Sequence, residues 1–270
     1  MAITTIDQAL AGSQPPVFFT KSVSPTLVAG RHQSLWGLSG LPGLGSFDAT
    51  LTGVALSSTS AQVAGQIPFS DPGSGNTYLA RFQGAATQPG TLVLADRLWH
   101  NGGITITSTS LQPLSSAAWP SRDNAGTANG AGVLLGVEVS AATGAGTPTL
   151  TIGYTNQAGT ASRTATNVVS TIASSAAGAF YPIGLQAGDS GVRSVESITL
   201  SATWTSGTIN LVAYRPLAAL ELPSGLTPNA IDAITGGFPR LFNGTVPFLL
   251  FIPSTTTASV VMGSVVYTQG

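Results

Sequence analysis

The sequence predicts an all-β protein, an antiparallel β-sandwich or jelly roll with an extended N-terminal arm and one or two short helices. Three observations lead there. Apolar residues alternate with Ser and Thr at period two over many short runs. Gly-bearing turn signals separate those runs. Ten or more strands at this spacing suit a sandwich and leave no helices with which to build βαβ units. No strict repeat recurs at a fixed period, which disfavours a propeller or a β-helix.

Taken in order, residues 1–45 are irregular. Thr5 to Ala11 reads as a short helix, with Ile6, Ala9 and Leu10 on one side and Gly12 as its stop. "SQPPVFF" and "GLSGLPGLGSF" read as extended chain, because paired prolines and repeated glycines break helix and ladder alike. Residues 1–45 are therefore set apart as an N-terminal arm or extended segment, and 46–270 as the β-sandwich domain. Packing on a neighbouring subunit and lying across its own domain both stand as readings of that segment.

Beyond it, strands are expected at Leu51 to Leu56, Tyr78 to Gln83, Leu92 to Leu98, Ile104 to Thr107, Phe180 to Leu185 and Val260 to Tyr267. "TLTIGYT" sets Leu150, Ile152 and Tyr154 against Thr149, Thr151 and Gly153, and "SITLSATW" and "GTINLVAY" repeat the pattern. "VLLGVEV" (133–139) and "VPFLLFI" (246–252) are continuously apolar, as in strands covered on both faces. "TPNAIDAITGG" is the one later helical interruption, with Thr227 as N-cap, Pro228 in the first turn and Gly236 as stop.

Composition narrows the function. Charged residues are 7% of the 270, against roughly 25% in ordinary soluble domains. Net charge is −1 and Lys21 is the single lysine, so there is no basic footprint for nucleic acid or an anionic membrane. A surface so poor in charge is either a neutral Ser/Thr-rich coat or one buried in an assembly. The absence of cysteine excludes disulfides, thiolate metal sites and cysteine nucleophiles. "MAITTIDQALAG" has no signal-peptide pattern, so synthesis in the cytoplasm without visible export is expected.

The densest polar cluster is "LADRLWHNGGITIT" (94–107). A Ser-His-Asp site needs histidine, and only His32 and His100 exist, with no Gly-x-Ser-x-Gly elbow. On a straight strand Asp96 shares a face with Leu92, Leu94 and Leu98, while Arg97 and Trp99 point away, and Asp96 lies about 13 Å from His100. "HNGG" then reads as a hairpin loop, and Asp96 requires an arginine partner to be buried. "DNAGTANGAG" from Asp123 lacks the spaced acids and closing glutamate of a calcium loop. Arg122 beside Asp123, and Arg193 between Asp189 and Glu196, are set to fix loops or to mark subunit contacts. Asp96, Arg97, Arg122, Asp123 and Arg193 are the candidate structural or contact residues. No catalytic residue, cofactor or metal ligand is assigned. Trp36, Trp99, Trp119 and Trp204 would be the platforms of a glycan-binding alternative.

The runs "WPSRDNAGTANGAGVLLGVEVS" (119–140), "YTNQAGTASRTAT" (154–166), "FYPIGLQAGDSGVRSVESITL" (180–200) and "VPFLLFIPSTTTASVVMGSVVYTQG" (246–270) resemble a group of tailed-bacteriophage virion structural proteins. The resemblance covers about the C-terminal two thirds and implies a particle component without catalytic activity. No site residues carry over. Within that group the features fit a capsid decoration or cement protein, commonly a trimer, whose partners would be itself and the major capsid protein lattice. The competitor is a tail or host-adhesion component with a glycan-binding β-sandwich.

Overall fold

The computed structural model describes residues 3–270 apart from 24–26, 49, 62, 115, 117, 118 and 238. After helix α1 (Ile6–Ala11) come β1 (Val17–Val23), β2 (His32–Ser34), β3 (Gly40–Leu41), β4 (Val54–Ala55), β5 (Thr77–Ala86) and β6 (Gly90–Asn101). Next are β7 (Gln112–Pro113), β8 (Leu134–Ala141), β9 (Leu150–Asn156), β10 (Arg163–Asn167), β11 (Ala179–Gly184), β12 (Val192–Leu200) and β13 (Thr208–Leu222). The chain finishes with β14 (Asn229–Asp232), helix α2 (Ala233–Gly236), β15 (Arg240–Leu241), β16 (Pro247–Pro253) and β17 (Ser259–Gln269). The fold is all-β, as the period-two runs predict.

Two antiparallel sheets form. The first runs β14-β5-β17-β1-β3, with β15 also on β5, and the second β2-β16-β6-β13-β8-β11-β10-β9-β12-β7, with β4 on β6. Because β2 pairs with both β16 and β11, the strands β2, β16, β6, β13, β8 and β11 close into a ring. Alternation divides their side chains between interiors. Ala95, Phe180, Val212, Tyr214, Phe248 and Leu250 cluster with Trp36 inside the ring. The opposite faces of β8, β11 and β13 put Leu135, Val137, Tyr181, Ile183 and Leu211 into a second core with β9 and β12. Leu92, Leu94, Leu249 and Phe251, from β6 and β16, face the first sheet's Phe19, Phe82, Val261 and Val265. Strands 8 and 16 are thus covered on both sides, which is why their sequences carry no polar alternation.

The N-terminal segment lies across its own fold. β1 sits between β17 and β3, and β2 completes the ring. Lys21 is buried, with Nζ donating to the carbonyls of Leu38, Pro42 and Gly43 at 2.9, 2.7 and 3.1 Å, which ties the loop after β2 to β1. Helix α1 begins where expected, capped by Thr5 in a box with Gln8, but buries none of its residues.

Three local expectations are corrected. Ile104 to Thr107 forms no strand; Ile104 and Ile106 are buried in the second core without a ladder. From Leu51 to Leu56 only Val54–Ala55 pairs; Ala49, at the run's edge, lies outside the described residues. In "TPNAIDAITGG" the first half is β14, paired to β5, so the helix starts at Ala233. Its cap is Asp232, whose carboxylate accepts from Ile234 and Thr235, and the stop is Gly237 at φ 56°.

Candidate functional site

Strand β6 organises the ionisable residues, and a bulge within it decides who meets whom. Trp99 pairs with Ala213 and Arg97 with the next residue, Tyr214, so Leu98 is an extra residue in the ladder. One added residue reverses the alternation beyond it. Leu98 and Trp99 both enter the second core, and His100 joins Arg97 on the ring's face. The expected opposition of Leu98 and Trp99 is corrected by that bulge. The "HNGG" hairpin is corrected too: β6 continues through Asn101, and Gly102 N donates to Leu51 O at 2.6 Å.

Asp96 has the arginine partner its position demanded. Arg122 clamps it through Nε to Oδ2 at 2.9 Å and Nη2 to Oδ1 at 3.2 Å, and Val246 N donates to Oδ1 at 2.9 Å. Arg215 Nη2 stands 4.0 Å from Oδ2. All three side chains are essentially sealed from solvent. Arg122 therefore reaches back to β6 and does not pair with its neighbour Asp123, as the sequence had suggested. Asp123 is occupied by its own loop: it accepts from the amides of Ala125, Thr127, Gly130 and Ala131 and from Thr127 Oγ1, at 2.7–3.2 Å.

Arg97 lies in the ring. Nη1 and Nη2 donate to the two oxygens of Glu138 at 3.1 and 2.7 Å, and the guanidinium covers Trp36 at 4.7 Å and Phe248 at 5.6 Å. Nη2 is also 3.1 Å from His100 Nδ1, which must accept, and His100 Nε2 donates to Asp48 O at 2.7 Å. Both ring nitrogens are thereby committed to a neutral imidazole. Burial, and then the Arg97 charge, lower its pKa to about 4. His100 and Asp96 serve separate networks and make no acid–base pair.

The remaining expected pairing also changes partners. Arg193 is exposed, while Asp189 is bound by Arg163 (Nε to Oδ2 2.9 Å), Tyr154 OH (2.6 Å) and Asn156 (2.7 Å). The Arg163 guanidinium, then Tyr154, hold the Asp189 carboxyl down to about 2. Glu196 accepts from Thr155 Oγ1 and Ser162 N. Glu138 and Arg215 went unselected from sequence, although an acid inside "VLLGVEV" and an arginine inside "LVAYRPL" carry the same signal that marked Asp96.

The arrangement ties strands β6, β8 and β13 and the loops at Arg122 and Val246 to one another. All four tryptophans are buried, so none is a glycan platform. Surface clefts of about 350 and 390 Å³ lie beside Phe69 and Tyr267 and beside Tyr78 and Ala233, and among the described residues that line them none is charged or a histidine. Among the described residues no group of three or more His, Asp or Glu could hold a metal.

No protein-family model matches the chain, and no curated protein matches it. Among solved structures it was compared with a chain of infectious bursal disease virus Gt strain (11% identity, 95% of this chain, 42% of that one, TM-score 0.12). A mutant VP2 protein of infectious bursal disease virus, from derived T=1 particles, gives 13% identity over 96% of this chain and 65% of that one, with TM-score 0.14. This chain thus spans less than two thirds of either length, and likenesses this slight bear on neither fold nor function.

Proposed function

We propose that the chain is a non-enzymatic structural protein of a tailed-bacteriophage virion, and within it a capsid decoration protein that binds the head shell as a homo-oligomer. One observation carries this reading: the buried charges are committed to one another or to the backbone, and a sparsely charged surface is left outside. Asp96, Arg97, Arg122, Asp123 and Glu138 neutralise one another or the backbone out of solvent. What remains outside is a Ser/Thr-rich surface whose exposed charges, three arginines and four acids among the described residues, nearly cancel, suited to broad contacts with other subunits. The resemblance of segments 119–140, 154–166, 180–200 and 246–270 to virion structural proteins supports the same reading.

The experiment is to separate heads from tails of the particles that encode this chain and find it by mass spectrometry. Purified chain is then added to shells lacking it. Presence on heads and saturable binding to depleted shells are expected. Recovery with tails alone, or indifference to depleted shells, rejects decoration.

A further inference from the structure

An asparagine followed by glycine is a chemically fragile pair, because glycine puts no Cβ in the way when its nitrogen attacks the asparagine side chain. The chain holds three such pairs, Asn101-Gly102, Asn129-Gly130 and Asn243-Gly244. In each the attacking nitrogen already donates a hydrogen bond, but the three acceptors differ. Gly102 N is bonded to Leu51 O at 2.6 Å, and Asn101 is buried. Gly130 N donates to Asp123 Oδ2 at 2.9 Å, on a buried carboxylate that four further donors hold in place. Gly244 N donates to Asp71 Oδ1 at 2.7 Å, and here Asn243 and Asp71 are both exposed. Among the described residues that bond is the one hydrogen bond the Asp71 carboxylate makes. Gly244, at φ 76°, otherwise sits in a turn closed from Thr245 N to Phe242 O at 3.1 Å.

We propose that Asn243 is a site of spontaneous deamidation, gated by the Asp71 carboxylate. When Asp71 lets go, Gly244 N bonds to Asn243 Cγ, the Cγ–Nδ2 bond breaks, and the proton from Gly244 N leaves with ammonia. Water then opens the cyclic imide at either carbonyl, giving aspartate or isoaspartate. A gate in contact with water opens more often than one buried among several donors, which puts Asn243 ahead of Asn129 and Asn101. The product bears on the fold. It places a second carboxylate in the turn that Asp71 binds, and that turn leads directly to Val246, whose N–H donates to Asp96. The proposal does not depend on the virion reading.

The test is peptide mapping by mass spectrometry of the folded chain held for weeks near neutral pH, with isoaspartate counted by enzymatic methyl labelling. Conversion is expected at Asn243 before the other two pairs, whereas the urea-unfolded chain converts all three at similar rates. Asp71→Ala removes the acceptor and is expected to speed conversion at Asn243 by about tenfold or more. Unchanged rates at Asn101 and Asn129 in that variant establish that it is folded, and Asn243→Gln abolishes the product. If the variant unfolds, the order of conversion in the native chain decides. No conversion in the folded chain, conversion first at Asn101 or Asn129, or a folded Asp71→Ala chain with an unchanged or slower rate at Asn243 overturns the proposal.

Discussion

Asp96 has two arginines nearby and uses one of them. Arg122 gives it a two-pronged clamp, whereas Arg215 stops at 4.0 Å, donates to Arg240 O, and leaves Nε and Nη1 without a partner. The two should respond differently to removal. Arg122→Met strands a buried carboxylate and is expected to cost about 3–5 kcal/mol in urea unfolding. Arg215→Met keeps the clamp and removes poorly satisfied donors, so a change within about 1 kcal/mol is expected. Equal losses would mean that the carboxylate is shared between them. His100 gives a pH dependence of definite sign. Its folded pKa lies below the ordinary 6.5, at about 4, so between those values the unfolded chain binds the extra proton. Stability is whole above pH 6.5 and falls by roughly 3 kcal/mol as pH drops towards 4. Burial lowers the pKa of His32 as well, and it adds to the same slope. Unfolding free energy measured from pH 7.5 to 4 checks this, and His100→Gln should flatten most of the curve. From sequence, an acid on an apolar face announced that it needed an arginine. Which arginine could not be read, because Arg122 lies 26 residues away and reaches β6 only through the fold.

At the scale of elements, a single carboxylate organises the loop from Asp123 to Ala131. Five donors converge on it, four of them amides that have no ladder to join. Gly130, at φ 83°, lies so close to Val192 O that a Cβ would stand 1.9 Å from that oxygen, so the loop has no spare conformation to relax into. Asp123→Ala is expected to cost on the order of 2–3 kcal/mol and to raise hydrogen exchange at Ala125, Thr127, Gly130 and Ala131. Unchanged exchange at those amides would show that the loop is held from elsewhere. Strands such as β9 and β12 were legible through their alternation and β8 and β16 through continuous apolar runs, whereas β1, though seven residues long, was read only as extended chain. Strands β3, β4, β7 and β15 are two residues each, and their pairing is dictated by a neighbour far along the chain. Ile104 and Ile106 show the converse: alternation reports burial, and burial does not require a ladder. The bulge at Leu98 was equally invisible, since no glycine or proline marks it, yet it sets which face His100 occupies.

For the whole molecule, the decisive closure belongs to three residues that had no strand signal. Gln33 of β2 pairs with Ala179 on one side and Phe251 on the other, which turns an open run of strands into a ring around Trp36, Phe180, Tyr214 and Phe248. β1 plays the corresponding part in the first sheet, covering β17 along seven residues and burying Phe19 and Val23. Helix α1, by contrast, buries nothing of its own. Two truncations should therefore behave very differently. Removing residues 1–11 is expected to shift Tm by no more than a few degrees, about 1 kcal/mol or less. Removing residues 1–34 opens the ring, uncovers an eleven-residue strand edge on β17 and exposes Phe82 and Val265. That variant should lose the near-UV signal of its packed tryptophans and aggregate on purification. If it instead unfolds cooperatively with native near-UV dichroism, the N-terminal segment is dispensable to the core and is free to act as an arm. If it collapses, Val17–Val23 and His32–Ser34 are part of the fold and are not free to act as an arm.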